Sequence, residues 1–560
     1  MALDLNEIKT RCMELQKNWS KRNKRFEDWY KLLRMVDKSR IHSKNEKFIG
    51  NDPRTFFNLS KHLLATAEIR HTIDTENLTE NQKTSVPDLE YLVNRGWKKA
   101  NKLNIQRGRG SVIAELVAWI LSTGWYALFE MATEDKLITE VWNPAEVYPE
   151  FDDDLGEPIE VCRVYKLSVQ RARVKAHALG WDFKSQATNA MVDIYDLYYF
   201  SHDETGSMIP THVVVINNAI VWASMHPELD HLPVMTGPVA GLPDRGVILN
   251  PNKWQAEIGE SVLATNEFIY NNSDRVMSFQ QQMIKDTAQP PVVQRITGSK
   301  TKVDPEKLFT RGYLITIGEG EDVFTLAMPA IPVELRQHTA DISDQRERGS
   351  LPNVAFGAAR GVRVNSLLIA QTTAAAENIL QPYIETAQGV LTEVDERWIK
   401  AVLKNDYKPY GWTKPTNLPK IDDIEFLVSY KIKVPGDLVS RATVARMINP
   451  NYQLDDETTT EFFFPEIKDP MRMLAKARRD KALDNDVSRT IDQVLAYELE
   501  ATSQELQGNT RGAALYRKAA KALEARLEPQ GQGATNGRQP QQQVPRVRQE
   551  TLPREFRPGQ

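Results

Sequence analysis

Apolar residues recur at helical spacing through ELQKNWSKRNKRFEDWYKLLRMV (residues 14–36) and again through FFNLSKHLLATAEIRHTI (residues 56–73), so the first hundred residues read as helices. Trp19, Phe26, Trp29 and Leu33 form the apolar face of the first run. The basic cluster SKRNKR, Ser20 to Arg25, reads as its solvated face, with a phosphate contact as the other reading. Ser111 to Ala132, SVIAELVAWILSTGWYALFEMA, is apolar over a membrane-like length, but Glu115, Gly124 and the strand-like sequence that follows favour a buried helix over a membrane span. Strand signals come next: LITEVW, VYPEF and IEVCRVYKL, the last two separated by the acidic turn DDDLGEP, which predicts a hairpin. A helix, SVQRARVKAHALGW, and two further runs, MVDIYDLYYF and HVVVINNAIVW, complete an α+β region ending near Pro251.

From Lys253 the pattern changes. Residues 253–288 contain no proline and carry a broken helical stripe of Trp254, Ile258, Val262, Phe268, Ile269, Val276 and Met283; as one helix they would span about 54 Å. Pro290 and Pro291 stop it. A compact module with short strands fills residues 289–332, and its basic residues Arg295, Lys300, Lys302, Lys307 and Arg311 are matched by Asp304, Glu306, Glu319, Glu321 and Asp322. A second helix is predicted over residues 333–348, then the Gly- and Arg-bearing stretch LPNVAFGAARGVRVNS, Leu351 to Ser366. A long helix follows from about Leu367 to Val402, with a kink expected near Asn378 because Pro382 lies inside it. Strand IEFLVSYKIKV, helix GDLVSRATVARMI and further helices over residues 469–528 precede a tail from Pro529 whose Gln, Gly, Pro and Arg content cannot bury a core and should be disordered. The fold class expected is α+β, mainly helical.

At 560 residues the chain has room for two to four domain-sized units. Its 71 basic and 75 acidic residues leave a formal charge of -4, so any hold on a polyanion must come from local patches. Cys12 and Cys162 are too few for a disulfide framework or a zinc module, which fits a reducing, intracellular assembly site. The N-terminus lacks the apolar core and cleavage site of a signal peptide.

Candidate chemistry is sparse. RGRGS (Arg107 to Ser111) lacks the lysine of a phosphate-cradling loop. Asp152, Asp153 and Asp154 offer carboxylates to a hard cation, but beside Gly156 and Pro158 they read as turn residues. HPELDHLP (His226 to Pro233) places two histidines in a proline-bounded loop rather than on a zinc-binding helix, and GESVL (Gly259 to Leu263) lacks the second glycine of a nucleophile elbow. Neither catalytic residue, cofactor nor metal is expected.

Taken in order, these pieces resemble the portal protein of tailed bacteriophages, from about Trp19 to Phe464. The likeness rests on FFNLSKHLLATAEI, ILSTGWYALFE, VWNPAEVYPEFDDDLGEPIEVCRVYKL, the helix with its inserted module, and GVRVNSLLIAQTTAAAE. The resemblance implies a homo-oligomeric ring, a dodecamer in the virion, at one capsid vertex, through which double-stranded DNA passes without sequence specificity. Residues 1–252 and 367–434 would be its wing, 253–288 and 333–348 its stem helices, 289–332 its clip, 349–366 its tunnel loop and 435–528 its crown. It implies DNA-facing roles for Val354, Phe356, Arg360, Val362, Arg363 and Asn365, channel charges at Arg336, Arg346 and Arg348, and clip contacts at Arg295, Lys300, Lys302, Lys307 and Arg311. Expected partners are the terminase large subunit, a head-to-tail adaptor, and the major capsid and scaffolding proteins, with no membrane contact. Another viral head-tail structural protein, or a metal-dependent nucleic-acid enzyme using Asp152 to Asp154 and the His226 to His231 loop, are the alternatives.

Overall fold

The computed structural model describes residues 4–37, 45–152, 156–184, 190–202, 206–239, 258–290, 292–295, 304, 319–320, 322–325, 332–350, 366–432, 486–506 and 509–527. The chain divides into two units, Met1–Ser440 and Arg441–Gln560. It is mixed helix and sheet, compatible with the α+β expectation.

The first unit opens with helices α1 (Leu5–Asn18) and α2 (Ser20–Leu33), broken at Trp19, and α3 (Asp52–Ala65). Trp19, Phe26, Trp29 and Leu33 are buried, as the spacing predicts. The basic cluster, however, is not simply a solvated face, because Arg22 within it is fully buried. The helical reading of residues 56–73 also needs correction. Helix α3 ends at Ala65, and EIRHTI forms strand β1 (Glu68–Ile73), paired antiparallel with β12 (Phe426–Lys431) from far along the chain. A strand partner so distant in sequence leaves no local trace, and alternation over six residues is weaker than the helical stripe before it.

Short α4 (Glu80–Lys83), α5 (Val86–Gln106) and α6 (Val112–Thr123) follow. The apolar run after Ser111 is half helix and half strand. Ser111 caps α6 by accepting the Ala114 N–H, Gly124 ends it in the left-handed region at φ 65, and WYALFEMA becomes β2 (Trp125–Ala132). Strand β2 lies between β3 (Leu137–Val141) and β9 (Val234–Pro238). None of the described helices is long and apolar enough to cross a membrane.

A five-stranded antiparallel sheet runs β4 (Val147–Phe151), β5 (Pro158–Ser168), β6 (Met191–His202), β7 (Met208–Ile216) and β8 (Ala219–Met225), with α7 (Val169–Leu179) between β5 and β6. The run HVVVINNAIVW is two strands rather than one. Asn217 and Asn218 both have positive φ, 47 and 66, the conformation a two-residue hairpin turn requires and asparagine tolerates. Cys12 of α1 and Cys162 of β5, too few on the sequence reading for a disulfide framework, meet as a buried disulfide with Cα atoms 5.7 Å apart, across a separation of 150 residues. Spacing alone gave no hint of that meeting, since it depends on how α1 docks on the sheet.

Helix α8 (Glu267–Ala288) and helix α9 (Val333–Arg348) flank the strand pair β10 (Val292–Arg295) and β11 (Asp322–Thr325). Helix α10 (Ser366–Lys404) is a single element with Pro382 inside it. Leu391, Val394 and Trp398 of α10 are fully buried in the main core, with Leu89 and Val93 of α5 and Leu116 and Leu121 of α6. Asp395, also fully buried there, accepts the Trp97 Nε1–H at 2.7 Å and faces His71 Nδ1 at 2.5 Å, joining β1, α5 and α10 through one carboxylate.

In the second unit, α11 (Asp486–Leu506) and α12 (Thr510–Leu527) form a helical hairpin that buries Val494, Ala501, Ala513 and Ala520. Arg517 pairs with Glu505 across it at 2.6 Å. The helix expected over GDLVSRATVARMI and the tail from Pro529 lie outside the described residues.

Candidate functional site

The long helix expected over residues 253–288 begins only at Glu267. Residues 253–257 lie outside the described residues, and 258–266 are a turn and a short 3-10 segment. The reason is local: Gly259 adopts φ 84 and sits against the Gly124 turn, where an added Cβ would lie 2.5 Å from both the Gly124 carbonyl oxygen and Trp125 Nε1. Backbone bonds fix the contact. Glu260 N–H donates to Val239 O at 3.0 Å, Val262 N–H to Leu121 O at 3.0 Å, and Trp125 Nε1–H to Ile258 O at 3.0 Å. Ser261, in the rejected nucleophile position, donates its hydroxyl to Leu121 O.

Above this root α8 and α9 run antiparallel. Asn266 Nδ2 donates to Arg346 O at 2.9 Å, and Gln280 Nε2 donates to Thr339 Oγ1 at 2.7 Å. The rise of an α-helix makes α8 about 33 Å long and α9 about 24 Å. Their burial is thin: Tyr270, Val276 and Ser278 on α8, and Ile342 alone on α9. Phe268 is 82% exposed and Val333 73%, and Phe279 and Ile284 are also exposed.

An extended segment before α3 lies along α8. Its N–H groups at Glu46, Phe48 and Gly50 donate to Gln282 Oε1, Ser278 Oγ and Asp274 Oδ1, at 2.9, 2.8 and 2.8 Å. Strand periodicity of two thus meets helix periodicity of four, so three successive like-facing amides find three side chains on one helix face. Lys285 adds an ion pair to Glu46.

Asp274 sits at the lower end of this strap. Burial pushes its carboxyl up to about 6; the Gly50 N–H opposes that, Asp52 and Asp37 add to it, and Arg346 opposes it. The folded pKa exceeds the unfolded one, so the ionised group weakens the fold as pH rises from about 4 through 6. Asp274→Asn keeps an acceptor for Gly50 and removes that charge. It is expected to add about 1 kcal/mol at pH 7, after allowance for screening at a half-buried site, and almost nothing at pH 4. Urea titrations of both proteins at the two pH values check this; an equal effect at both would rule out the charge as its cause.

The sequence-derived site residues fare differently. Arg346 is committed to Asp52 at 2.6 Å and to Ser343, so its side chain serves the root of the helix pair rather than an open surface. Arg336 and Arg348 are exposed and make no ion pair among the described residues. Arg295 is exposed at the end of β10, opposite Asp322 in register. Lys300, Lys302, Lys307 and Arg311 lie outside the described residues, as do Val354, Phe356, Arg360, Val362, Arg363 and Asn365. His226 engages Glu228 at 2.8 Å, and His231 bridges Asp230 and Glu130 at 2.7 and 2.8 Å, so both histidines hold their loop together. Asp153 and Asp154 are outside the described residues. Asp52, Asn266 and Asp274 went unnoticed in the sequence, where each is one polar residue among many.

No family model matches the chain, and no curated protein matches it. Among solved structures it is similar to the neck of a native GTA particle computed with C12 symmetry, at TM-score 0.39 and 12% identity, over 74% of this chain and 90% of that one. It is also similar to the neck of an empty GTA particle computed with C6 symmetry, at TM-score 0.41 and 13% identity, over 78% and 93% of the two chains. A third is the virion of a native gene transfer agent (GTA) particle, at TM-score 0.40 and 13% identity, again over 78% and 93%.

Proposed function

We propose that this chain is the subunit of a portal-type ring at the head-tail junction of a phage-like particle, a non-enzymatic conduit for double-stranded DNA. The observation that carries the reading is the α8–α9 pair, which leaves a tightly fixed root, reaches a small strand module and returns. It buries only four side chains along its length while exposing Phe268, Phe279, Ile284 and Val333. A monomer gains nothing from displaying such surface, whereas neighbouring copies in a ring would cover it. In this reading α8 and α9 are the stem, the β10–β11 module is the clip that meets terminase or adaptor, and residues 349–366 are the tunnel loop.

Arg336 and Arg348, repeated around a ring, would present a basic lining to phosphates, a contact blind to base sequence. Arg346, held by its bond to Asp52, is left out of that proposed lining. The bulk charge of -4 is no obstacle, because only the local arrangement faces DNA.

Electron microscopy of the purified full chain tests the reading: stubby rings with a central hole are expected, and a uniform monomer would overturn it. Replacing Arg360 and Arg363 together by alanine is expected to leave ring assembly intact and to lower packaged DNA per particle about tenfold or more, a loss of roughly 1.4 kcal/mol or greater in DNA retention. Unchanged packaging would remove the loop from the DNA path.

A further inference from the structure

Within the first unit, a cavity of about 490 Å³ lies over one face of the five-stranded sheet, a volume in the range of small-molecule sites. Its floor carries Arg163 of β5, Asp196 and Tyr198 of β6, and His212 of β7. Phe129 and Trp142 stack on one side with ring centres 5.2 Å apart, and Trp181 and Trp222 also line it.

Charge in the lining is unbalanced. Both carboxylates are spoken for, Glu140 by Arg107 at 2.6 Å and Asp196 by His212 at 2.5 Å. Arg163 reaches Glu146, outside the lining, at 3.3 Å. That leaves Lys99, Lys136 and Lys175 without an ion pair among the described residues. Lys99 and Lys136 are exposed, whereas Lys175 is mostly covered, its ammonium donating to the Tyr165 hydroxyl and lying 5.1 Å from the Trp181 ring centre. Three buried polar atoms of lining residues, Thr139 Oγ1, Trp142 Nε1 and Arg163 Nε, have no hydrogen-bond partner. Buried donors left unmatched are costly in a finished core, and their clustering beside a cavity points to a group that completes them.

We propose that this cavity binds a small aromatic anion, its ring among Phe129, Trp142 and Trp222 and its acid group toward Lys175 and Arg163. Aromatic walls select a flat apolar body, and the surplus of lysine selects negative charge. Burial lowers the Lys175 pKa. A bound anion would oppose that shift, so the charged amine and the ligand reinforce each other. None of the residues belongs to the helix pair, so the inference stands or falls apart from the ring reading.

The test uses 8-anilinonaphthalene-1-sulfonate as probe and the neutral N-phenyl-1-naphthylamine as its control, titrated into the full chain by fluorescence. One saturable site per chain is expected, with the anion bound about tenfold more tightly than the neutral dye. Lys175→Met should erase that preference and leave the neutral dye's affinity unchanged, while Lys175→Arg retains it. Should Lys175→Met lose its native near-ultraviolet circular dichroism, the exposed double substitution Lys99→Glu and Lys136→Glu decides, with about threefold weaker anion binding expected. Absence of saturable binding, equal affinity for the two dyes, or full anion affinity in whichever variant decides would overturn the proposal.

Discussion

Gly259→Ala is expected to lower the stability of the first unit by about 3 kcal/mol, read as a shift in the denaturant midpoint. Two physical terms add. An alanine held at φ 84 costs about 1 kcal/mol in backbone strain. The new Cβ would also lie 2.5 Å from the Gly124 carbonyl oxygen and Trp125 Nε1, and both neighbours are fixed, one by the helix-to-strand turn and the other by its bond to Ile258 O. Relief requires the backbone to shift in a packed region, which adds about 1–3 kcal/mol. Gly156 supplies the control: its φ is 69, with nothing within 4 Å of an added Cβ, so Gly156→Ala should show the backbone cost alone. If the two substitutions cost the same, the close approach of the two glycine turns is not what fixes the root of α8.

Arg22→Ala should be at least as damaging, at about 3–5 kcal/mol. The guanidinium is 1% exposed and sits among four rings, 4.5 Å from the Trp19 centre, 4.8 Å from Trp125, 5.2 Å from Phe26 and 5.8 Å from Tyr148. Its Nη2 donates to Pro144 O at 3.0 Å and to Val147 O at 2.7 Å, while Nη1 finds no partner. Burial pulls its pKa down to about 9, with Tyr148 opposing that, so the group is still charged at neutral pH. Alanine leaves a void and takes one donor from each of two carbonyls. Methionine fills most of the void and isolates the second loss, so Arg22→Met is expected to fall near 1–3 kcal/mol in the same denaturation experiment. A methionine variant as unstable as the alanine one would mean that the carbonyl contacts, not packing, dominate.

These two positions show where sequence reading stops. Local patterns were legible: the strand pair β4 and β5, the helix α7 and the proline stop after α8 all follow from residues near one another. Helix α9, predicted over residues 333–348, spans those residues. What failed was anything decided by a distant partner. Residues 68–73 became a strand because residues 426–431 pair with them, and Arg22 turned inward because Pro144 and Val147 offer carbonyls that its own helix cannot. The cysteines likewise meet only through the docking of α1 on the sheet. At the candidate site, Arg336, Arg346 and Arg348 of α9 were visible in the sequence as residues, not as contacts. The fate of Arg346 depended on Asp52, nearly three hundred residues earlier.

The two ends of the α8–α9 excursion meet at its base, where Asn266 holds Arg346 O and Gly349 packs so close that a Cβ there would lie 2.3 Å from Asn266 Oδ1. The body therefore sees an insertion whose entry and exit are fixed side by side, whatever lies beyond them. Such a joint makes the arm a replaceable part. Its length and tip can be altered while the residues that seal the base keep the body's fold unaware of the change.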